Sequence, residues 1–271
     1  MKNVYVGAGL VGVSMALVVV GALWTPADPT ALADRPHLPP SWRWPMGTDW
    51  FGRDVLSRVM VGGRVSWAVA AAAVVTGGAF GFGVGAMAGY LGGIVGEVLA
   101  RLGDFFLAFP ASLMALLLAT VLGRGVLGVA LALALFTVPF FLRLSLAGVL
   151  ALRDQEFVVA ARACGARGPR IVLRHILPNL ASPLLVQLTV SLGAALLAEA
   201  GLAYLGLGVQ PPHPSWGRML REAQPFFRHS PWPALFPGLV LSLTVLGLNL
   251  LGDGLRDLAD PLTRKLSPGR P

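Results

Sequence analysis

Residue types that could catalyse a reaction or bind a metal are few and scattered along this chain. Four histidines, one cysteine and two lysines occur, and the patterns HExxH, CxxC and GxSxG are missing. Neither Lys2 nor Lys265 follows a glycine, so the chain lacks the Gly-Lys pair of a phosphate-binding P-loop. The sequence therefore predicts no catalytic residues, no metal site and no ATP site of that type.

The composition indicates what kind of protein carries these residues. Of 271 residues, 55% are hydrophobic, 34 are glycine and only 13% are charged, and the mean hydropathy is +0.72. Soluble domains contain about 25% charged residues, and disordered chains are poor in apolar residues. These values exclude a soluble enzyme and a disordered chain, and they predict an integral membrane protein.

Six windows are apolar over the roughly 20 residues that a helix needs to cross a bilayer. The predicted fold class is therefore all-α: a polytopic membrane protein with about six transmembrane helices, whose outer surfaces contact membrane lipid. The windows are Val4–Trp24, Val65–Tyr90, Phe105–Leu122, Val126–Leu150, Leu184–Leu207 and Ala234–Leu251.

The windows divide the chain into four parts. We predict a first transmembrane helix (1–24), an extracytoplasmic segment (25–64), a transmembrane core (65–256) and a cytosolic tail (257–271). A signal peptide is the alternative interpretation of the first part, because Ala31-Leu32-Ala33 resembles a cleavage site. Its apolar run exceeds the roughly 7–15 residues of a signal peptide, which favours a retained span.

The basic residues predict the orientation. The net charge is +8, but no basic run with interleaved aromatics indicates nucleic-acid binding. Five arginines lie in the loop 151–183, whereas the turn Gly123–Gly125 holds one. Because Lys and Arg concentrate in cytoplasmic loops, we predict a multi-pass protein of the cell membrane with this loop and both termini in the cytosol.

Some residues within the spans indicate helix pairing. In the second window a glycine recurs at every fourth position, a pattern that is typical of two closely packed helices. A pore lining is the alternative role for this stripe of glycines. Glu199 and Arg143 are charges within predicted spans, and each either lines a translocation path or holds helices together. The repeated small residues are Gly77, Gly81, Gly85 and Gly89.

The loop 151–183 has the pattern of two short helices joined by an elbow. Asp154 is a plausible N-cap, the first helix runs to about Cys164, and Gly165 suits its C′ position. Pro169 fits the first turn of a second helix, and we expect Pro178 to end it. The small exposed side chains favour docking into another protein; a loop lying on anionic lipid is the alternative.

The same loop resembles the EAA loop of ABC-transporter permeases, specifically of the dipeptide/oligopeptide/nickel importer family. The resemblance extends to two outer segments and to the C-terminal end. The matching stretches are Glu156…Ala160-Ala161…Gly165…Ile171…His175-Ile176-Leu177-Pro178-Asn179, Gly47–Arg58, Leu205–Pro212 with Pro214–Gly217, and Asn249–Asp257.

This resemblance implies an ATP-driven importer in which two homologous permeases form the pathway. Two ATP-binding-cassette subunits would bind ATP and Mg²⁺, an extracytoplasmic binding protein would deliver the solute, and this chain would hold no cofactor. Small peptides are the expected solute, with nickel, glutathione or sugars as alternatives; a self-sufficient secondary transporter is the rival class.

The resemblance also implies roles for individual residues in two regions. The loop residues would couple the permease to the ATPases, and the outer residues would form a gate or a face for the binding protein. A locally folded plug held by Asp/Arg pairs is the alternative for the outer residues. The coupling residues are Glu156, Ala160, Ala161, Arg162, Gly165, Ala166 and Ile171, and the outer residues are Asp49, Arg53, Asp54, Gln210 and Trp216.

Overall fold

The computed structural model describes residues 2–108, 111–123 and 125–259. Over these residues the predicted all-α fold is confirmed, because the chain forms α-helices and no β-strand. The helices are α1 (Lys2–Leu23), α2 (Val55–Leu91), α3 (Gly93–Ala108), α4 (Ala111–Leu122), α5 (Val126–Leu152), α6 (Glu156–Ala163), α7 (Gly168–Ile171), α8 (Ala181–Tyr204), α9 (Trp216–Ala223) and α10 (Trp232–Ala259).

Within the described residues, five helical stretches are long and apolar enough to cross a membrane, or six if one bent pair is counted as a single span. The pair is α3 and α4, whose axes differ by 98°. The window Phe105–Leu122 was therefore wrong as one continuous helix. Pro110 stands between the two helices in the sequence, and proline disfavours helix continuation.

Two boundaries differ from the sequence-based division. α2 begins at Val55, ten residues before the expected window, because Asp54 caps its first turn by accepting a hydrogen bond from the backbone N–H of Ser57 at 2.9 Å. At the other end α10 continues to Ala259. The rest of the expected tail lies outside the described residues.

A glycine-lined seam joins α2 to α5. A Cβ on Gly81 would overlap the carbonyl oxygen of Val138, and a Cβ on Gly89 would lie 2.9 Å from Cβ of Val149. Without side chains the two backbones approach closely, which strengthens helix packing where lipid competes with protein. This placement supports the helix-pairing interpretation for the whole stripe, Gly77, Gly81, Gly85 and Gly89.

Helix α1 packs into the bundle against α2 and α10. A Cβ on Gly7 would lie 2.6 Å from the backbone nitrogen of Leu251. The hydroxyl of Ser14 accepts hydrogen bonds from Trp67 Nε1 at 3.2 Å and Thr244 Oγ1 at 2.7 Å. These contacts join three helices and support the interpretation of α1 as a retained span.

Candidate functional site

The loop 151–183 is held to the bundle by a small apolar core. Val158 of α6, Ile171 of α7 and Ile176 are fully buried, and they pack with Val149 of α5 and with Leu180 just before α8. Each such side chain contributes about 1.5–3 kcal/mol when it leaves water. The core therefore fixes α6 to the ends of two membrane-spanning helices.

The elbow after α6 has the predicted glycine geometry. Gly165 has a φ of +83°, which glycine adopts without steric cost. Its N–H donates to the carbonyl oxygen of Arg162, and the N–H of Ala166 donates to that of Ala161, both at 3.0 Å. This hydrogen-bond pattern is a Schellman motif and ends α6 sharply.

Two expectations about the loop were wrong. The N-cap of α6 is Gln155 rather than Asp154. Pro178 does not end the second helix, because one π-helical turn (Val172–Ile176) and one 3₁₀ turn (Leu177–Leu180) carry the chain into α8. A π turn re-pairs backbone groups near a residue that lacks an N–H, so the helical path continues through the proline.

Polar contacts also connect the loop to the end of α2. The guanidinium of Arg153 donates to the carbonyl oxygen of Gly89 at 3.0 Å. The guanidinium of Arg162 lies 6.0 Å from the ring centroid of Tyr90, and Gly168 packs against the same ring. The loop thus touches α2, α5 and α8, and a displacement of α6 would be transmitted to all three.

The exposed face of α6 points away from this core. Glu156, Ala160 and Arg162 are exposed, and Phe157 and Val159 add apolar surface there. Among the other residues expected to couple, Ala161 and Ala166 are half-buried and Ile171 is buried. Ile171 therefore positions the loop, and the first group forms the surface available to a partner.

At the opposite end of the bundle, residues 25–54 fold into a compact segment. The carbonyl oxygen of Gly52 accepts hydrogen bonds from the N–H groups of Ala33 and Asp34 at 3.0 and 3.1 Å. The indole of Trp44 donates to Asp34 Oδ2 at 3.0 Å and holds the pKa of Asp34 below its ordinary value. Gly52 has a φ of +78°, and a Cβ there would overlap the carbonyl oxygen of Asp34.

Five charged side chains connect that segment to α9. We call them the outer ion-pair network, and this end of the bundle the outer end, because the sequence predicts that it faces away from the cytosol. Arg53 bonds Asp49 at 2.7 Å and Glu222 at 3.2 Å. Arg58 bonds the same two carboxylates, at 3.5 and 2.7 Å respectively. Arg218 bonds Glu222 at 2.7 Å. Each of these side chains is at most 14% exposed, so the network lies inside the outer end rather than on its surface.

Trp216 anchors α9 to the bundle. It is fully buried, its indole donates to the carbonyl oxygen of Val59 at 2.9 Å, and its backbone N–H donates to Ser66 Oγ at 3.3 Å. Gln210 is exposed and donates to the carbonyl oxygen of Gly208 at 2.8 Å. Trp216 therefore joins α9 to α2.

These placements support the locally folded plug, the alternative to a contact face, for most of the expected outer residues. Only Gln210 among the five expected residues is exposed, whereas the structure buries the other four in ion pairs, a helix cap or packing. The buried four position the outer segments and cannot themselves be a contact surface in this conformation. They are Asp49, Arg53, Asp54 and Trp216.

The two charges expected within the spans lie in different surroundings. Glu199 of α8 is 1% exposed and lies beside the hydroxyls of Ser66 and Ser215, although neither carboxylate oxygen has a partner at hydrogen-bond geometry. Arg143 is exposed, and its Nη1 is 3.7 Å from Oδ1 of Asp104. Glu199 packs at a junction between helices, and Arg143 pairs α5 with α3. Both placements support the helix-pairing alternative.

Comparison with known proteins identifies the family. Residues 81–265 match the family model described as "Binding-protein-dependent transport system inner membrane component". The chain belongs to this family.

Several relatives resemble this permease over most of its length. It is 41% identical over 215 residues to the dipeptide transport system permease protein DppC of Alkalihalophilus pseudofirmus, covering 79% of this chain and 71% of the relative. It is 42% identical over 257 residues to the glutathione transport system permease protein GsiD of Escherichia coli O157:H7, covering 94% and 85%.

A solved structure supports the same fold. A chain of the MetNI methionine ABC transporter aligns with a TM-score of 0.55 at 19% identity, over 73% of this permease and 96% of that chain. With the sequence relatives, these findings show a permease subunit of an ABC importer, which functions with ATPase subunits and a permease partner. Subunits of this type are not normally catalytic.

Three residues of the outer network were not identified as site residues from the sequence: Arg58, Arg218 and Glu222. Arg218 and Glu222 are four positions apart, a spacing that permits an ion pair on a helix. Helix α9 itself was not predicted. The four-residue spacing would have indicated only the pair Arg218–Glu222, and not the contacts of Glu222 with Arg53 and Arg58. Phe157 and Val159 were missed because exposed apolar residues resemble ordinary membrane-loop composition.

Proposed function

We propose that this permease imports small peptides, or a related small solute such as glutathione, that an extracytoplasmic binding protein delivers. It forms the pathway with a second, homologous permease, and two ATPase subunits drive it from the cytosol. The named relatives support this solute class, because one is a dipeptide permease and another a glutathione permease.

The observation that carries the mechanism is the attachment of α6. Its exposed face is free to enter a groove on an ATPase subunit, while Val158, Ile171 and Ile176 hold it to the bundle. When ATP binding closes the ATPase pair, α6 moves with the groove. Because the loop connects α5 directly to α8, that motion reorients both helices and switches access between the two sides.

The binding protein contacts exposed aromatic residues at the outer end of the permease. Trp42 and Phe51 are 105% and 56% exposed on the compact segment, and Phe227 is 55% exposed after α9. Exposed aromatic side chains are enriched at protein interfaces. The buried ion-pair network beneath keeps this surface in one shape.

ATP-driven uptake in vesicles tests the proposal. The permease is reconstituted with its second permease, its ATPase subunits and its binding protein, and entry of radiolabelled alanyl-alanine and of glutathione is measured with ATP and without it. ATP-dependent entry of either solute supports the proposal. Entry driven by an ion gradient through this chain alone would instead support a secondary transporter.

A further inference from the structure

A cavity of about 400 Å³ opens at the outer end, between the end of α8 and helix α9. Its volume lies in the range of small-molecule sites, about 300–1,000 Å³. Apolar wall is supplied by Trp50, Pro211 and Pro225, and polar groups by Gln210, Arg218, Arg221 and the carboxylate of Glu222. A concave site with apolar walls and a few polar groups is typical of small-ligand binding.

Arg221 is the charged group of this cavity that has no acceptor. Arg221 is exposed, and within the described part of the chain its guanidinium makes no hydrogen bond or ion pair, whereas Arg218 bonds Glu222 at 2.7 Å and the carbonyl oxygen of His213 at 3.2 Å. The side chain of Arg221 lies close to the backbone just after α8. Its guanidinium lies over Gly206, where a Cβ would overlap Nη1, so this glycine leaves room for it.

The neighbouring charges do not neutralise Arg221. The outer ion-pair network contains three guanidinium groups and two carboxylates, so it already has one excess positive charge. Of that network only Arg218 and Glu222 line this cavity, and together with Arg221 they give its lining one excess positive charge. A concave site with a surplus of guanidinium groups attracts an anion, and a guanidinium binds a carboxylate through two parallel hydrogen bonds.

We infer that this cavity binds the carboxylate of the transported solute on its way into the pathway, and that Arg221 is the binding residue. The inference rests on the proposed function, because dipeptides and glutathione both carry an α-carboxylate that is ionised near pH 7. The apolar walls then contact the rest of a short peptide, and Arg218 adds positive charge without giving up Glu222.

A comparison of acid and amide solutes tests this role. The complete importer takes up alanyl-alanine or alanyl-alaninamide, each at a concentration that saturates the binding protein. Uptake by the Arg221→Gln variant is divided by wild-type uptake for each solute, so that the preference of the binding protein cancels. We expect a ratio of about 0.1 for the acid, since a charge-assisted hydrogen bond is lost, and a ratio near 1 for the amide.

Two further variants sharpen the result. Arg228→Gln removes an exposed positive charge outside this cavity and should leave both ratios near 1. Arg221→Lys keeps the charge but loses the two-pronged geometry, so its ratio for the acid should fall between those of the wild type and Arg221→Gln. Thermal unfolding in detergent checks that each variant is folded.

The outcomes separate this inference from the proposed function. If the wild type transports alanyl-alanine but Arg221→Gln lowers acid and amide uptake equally, Arg221 contacts the binding protein instead, and the carboxylate site is wrong. An unchanged acid ratio, or a loss of thermal stability alone, also overturns it. If the assembled wild type transports neither these peptides nor glutathione, the proposed solute class fails and the carboxylate site falls with it.

Discussion

Arg58 and Glu222 are 164 positions apart in the sequence, yet Nη2 of Arg58 donates to Oε2 of Glu222 at 2.7 Å. The arginine side chain is 1% exposed and the carboxylate side chain 14%. This bond joins the first turn of α2 to α9, and Arg53 joins the compact segment 25–54 to the same carboxylate. Glu222 is therefore the point at which three separate parts of the outer end meet.

Replacing Glu222 should destabilise the outer end. Glu222→Gln leaves three guanidinium groups around one remaining carboxylate, and removing one partner of a buried ion pair costs about 3–5 kcal/mol. Since Glu222 is partly exposed, we expect about 3 kcal/mol, at the low end of that range, as a lower midpoint of thermal unfolding in detergent. Glu97→Gln is the control: it breaks a 3.7 Å pair whose side chains are 78% and 70% exposed, and it should cost less than about 1 kcal/mol. Equal losses would contradict a structural role for the network.

The α2–α5 seam should tolerate no added methyl group. In Gly81→Ala the new Cβ would overlap the carbonyl oxygen of Val138, which cannot move without shifting α5, so we expect a loss of about 1–3 kcal/mol. Gly83→Ala is a matched control on the same helix, because nothing lies within 4 Å of its Cβ; it should be neutral or stabilising by up to about 1 kcal/mol. Thermal unfolding of the two variants gives the comparison, and similar stabilities would place the seam elsewhere.

The sequence was informative where apolar length or local turn chemistry determines the structure. The spans could be predicted because unpaired backbone groups are costly in lipid, which favours long apolar helices. The end of α6 could be predicted because Gly165 readily adopts the left-handed conformation that ends a helix. The ion pairs to Glu222 could not be predicted, because they depend on which distant segments the bundle brings together. For Asp49 and Arg53 the sequence left two alternatives open, a binding-protein face and a plug held by Asp/Arg pairs, because a charged motif outside a span does not reveal its partners.

The single cysteine offers a direct test of orientation. Cys164 is exposed just after α6, so a membrane-impermeant maleimide should label it in inside-out vesicles and leave it unlabelled in right-side-out vesicles. A variant with Cys164→Ser and Trp42→Cys should show the opposite pattern, since Trp42 is fully exposed at the other end. Labelling of Cys164 from outside would reverse the predicted topology and remove α6 from the reach of any cytosolic ATPase.

Glu199 should be dispensable if its role is only packing. Burying a carboxylate without hydrogen-bond partners is unfavourable, so Glu199→Gln should not lower the midpoint of thermal unfolding, and ATP-driven uptake should stay at the wild-type rate. Glu199→Leu gives a second comparison, because it removes the polar atoms while roughly keeping the volume. Loss of uptake in both variants, with unchanged stability, would instead place Glu199 on the solute path.

Coupling through α6 predicts a size limit at Ala160. This residue is exposed on α6, so Ala160→Trp disturbs no packing within the permease, but it should prevent α6 from seating in an ATPase groove. We expect unchanged thermal unfolding, ATP-driven uptake lowered at least tenfold and weaker co-purification with the ATPase subunits. Ala160→Ser is the control, because it keeps the small volume and should transport normally.

Gly165→Pro should uncouple in the same way, since proline fixes φ near −65° while this position has a φ of +83°. Wild-type uptake by both Ala160→Trp and Gly165→Pro would show that the importer is driven through another surface.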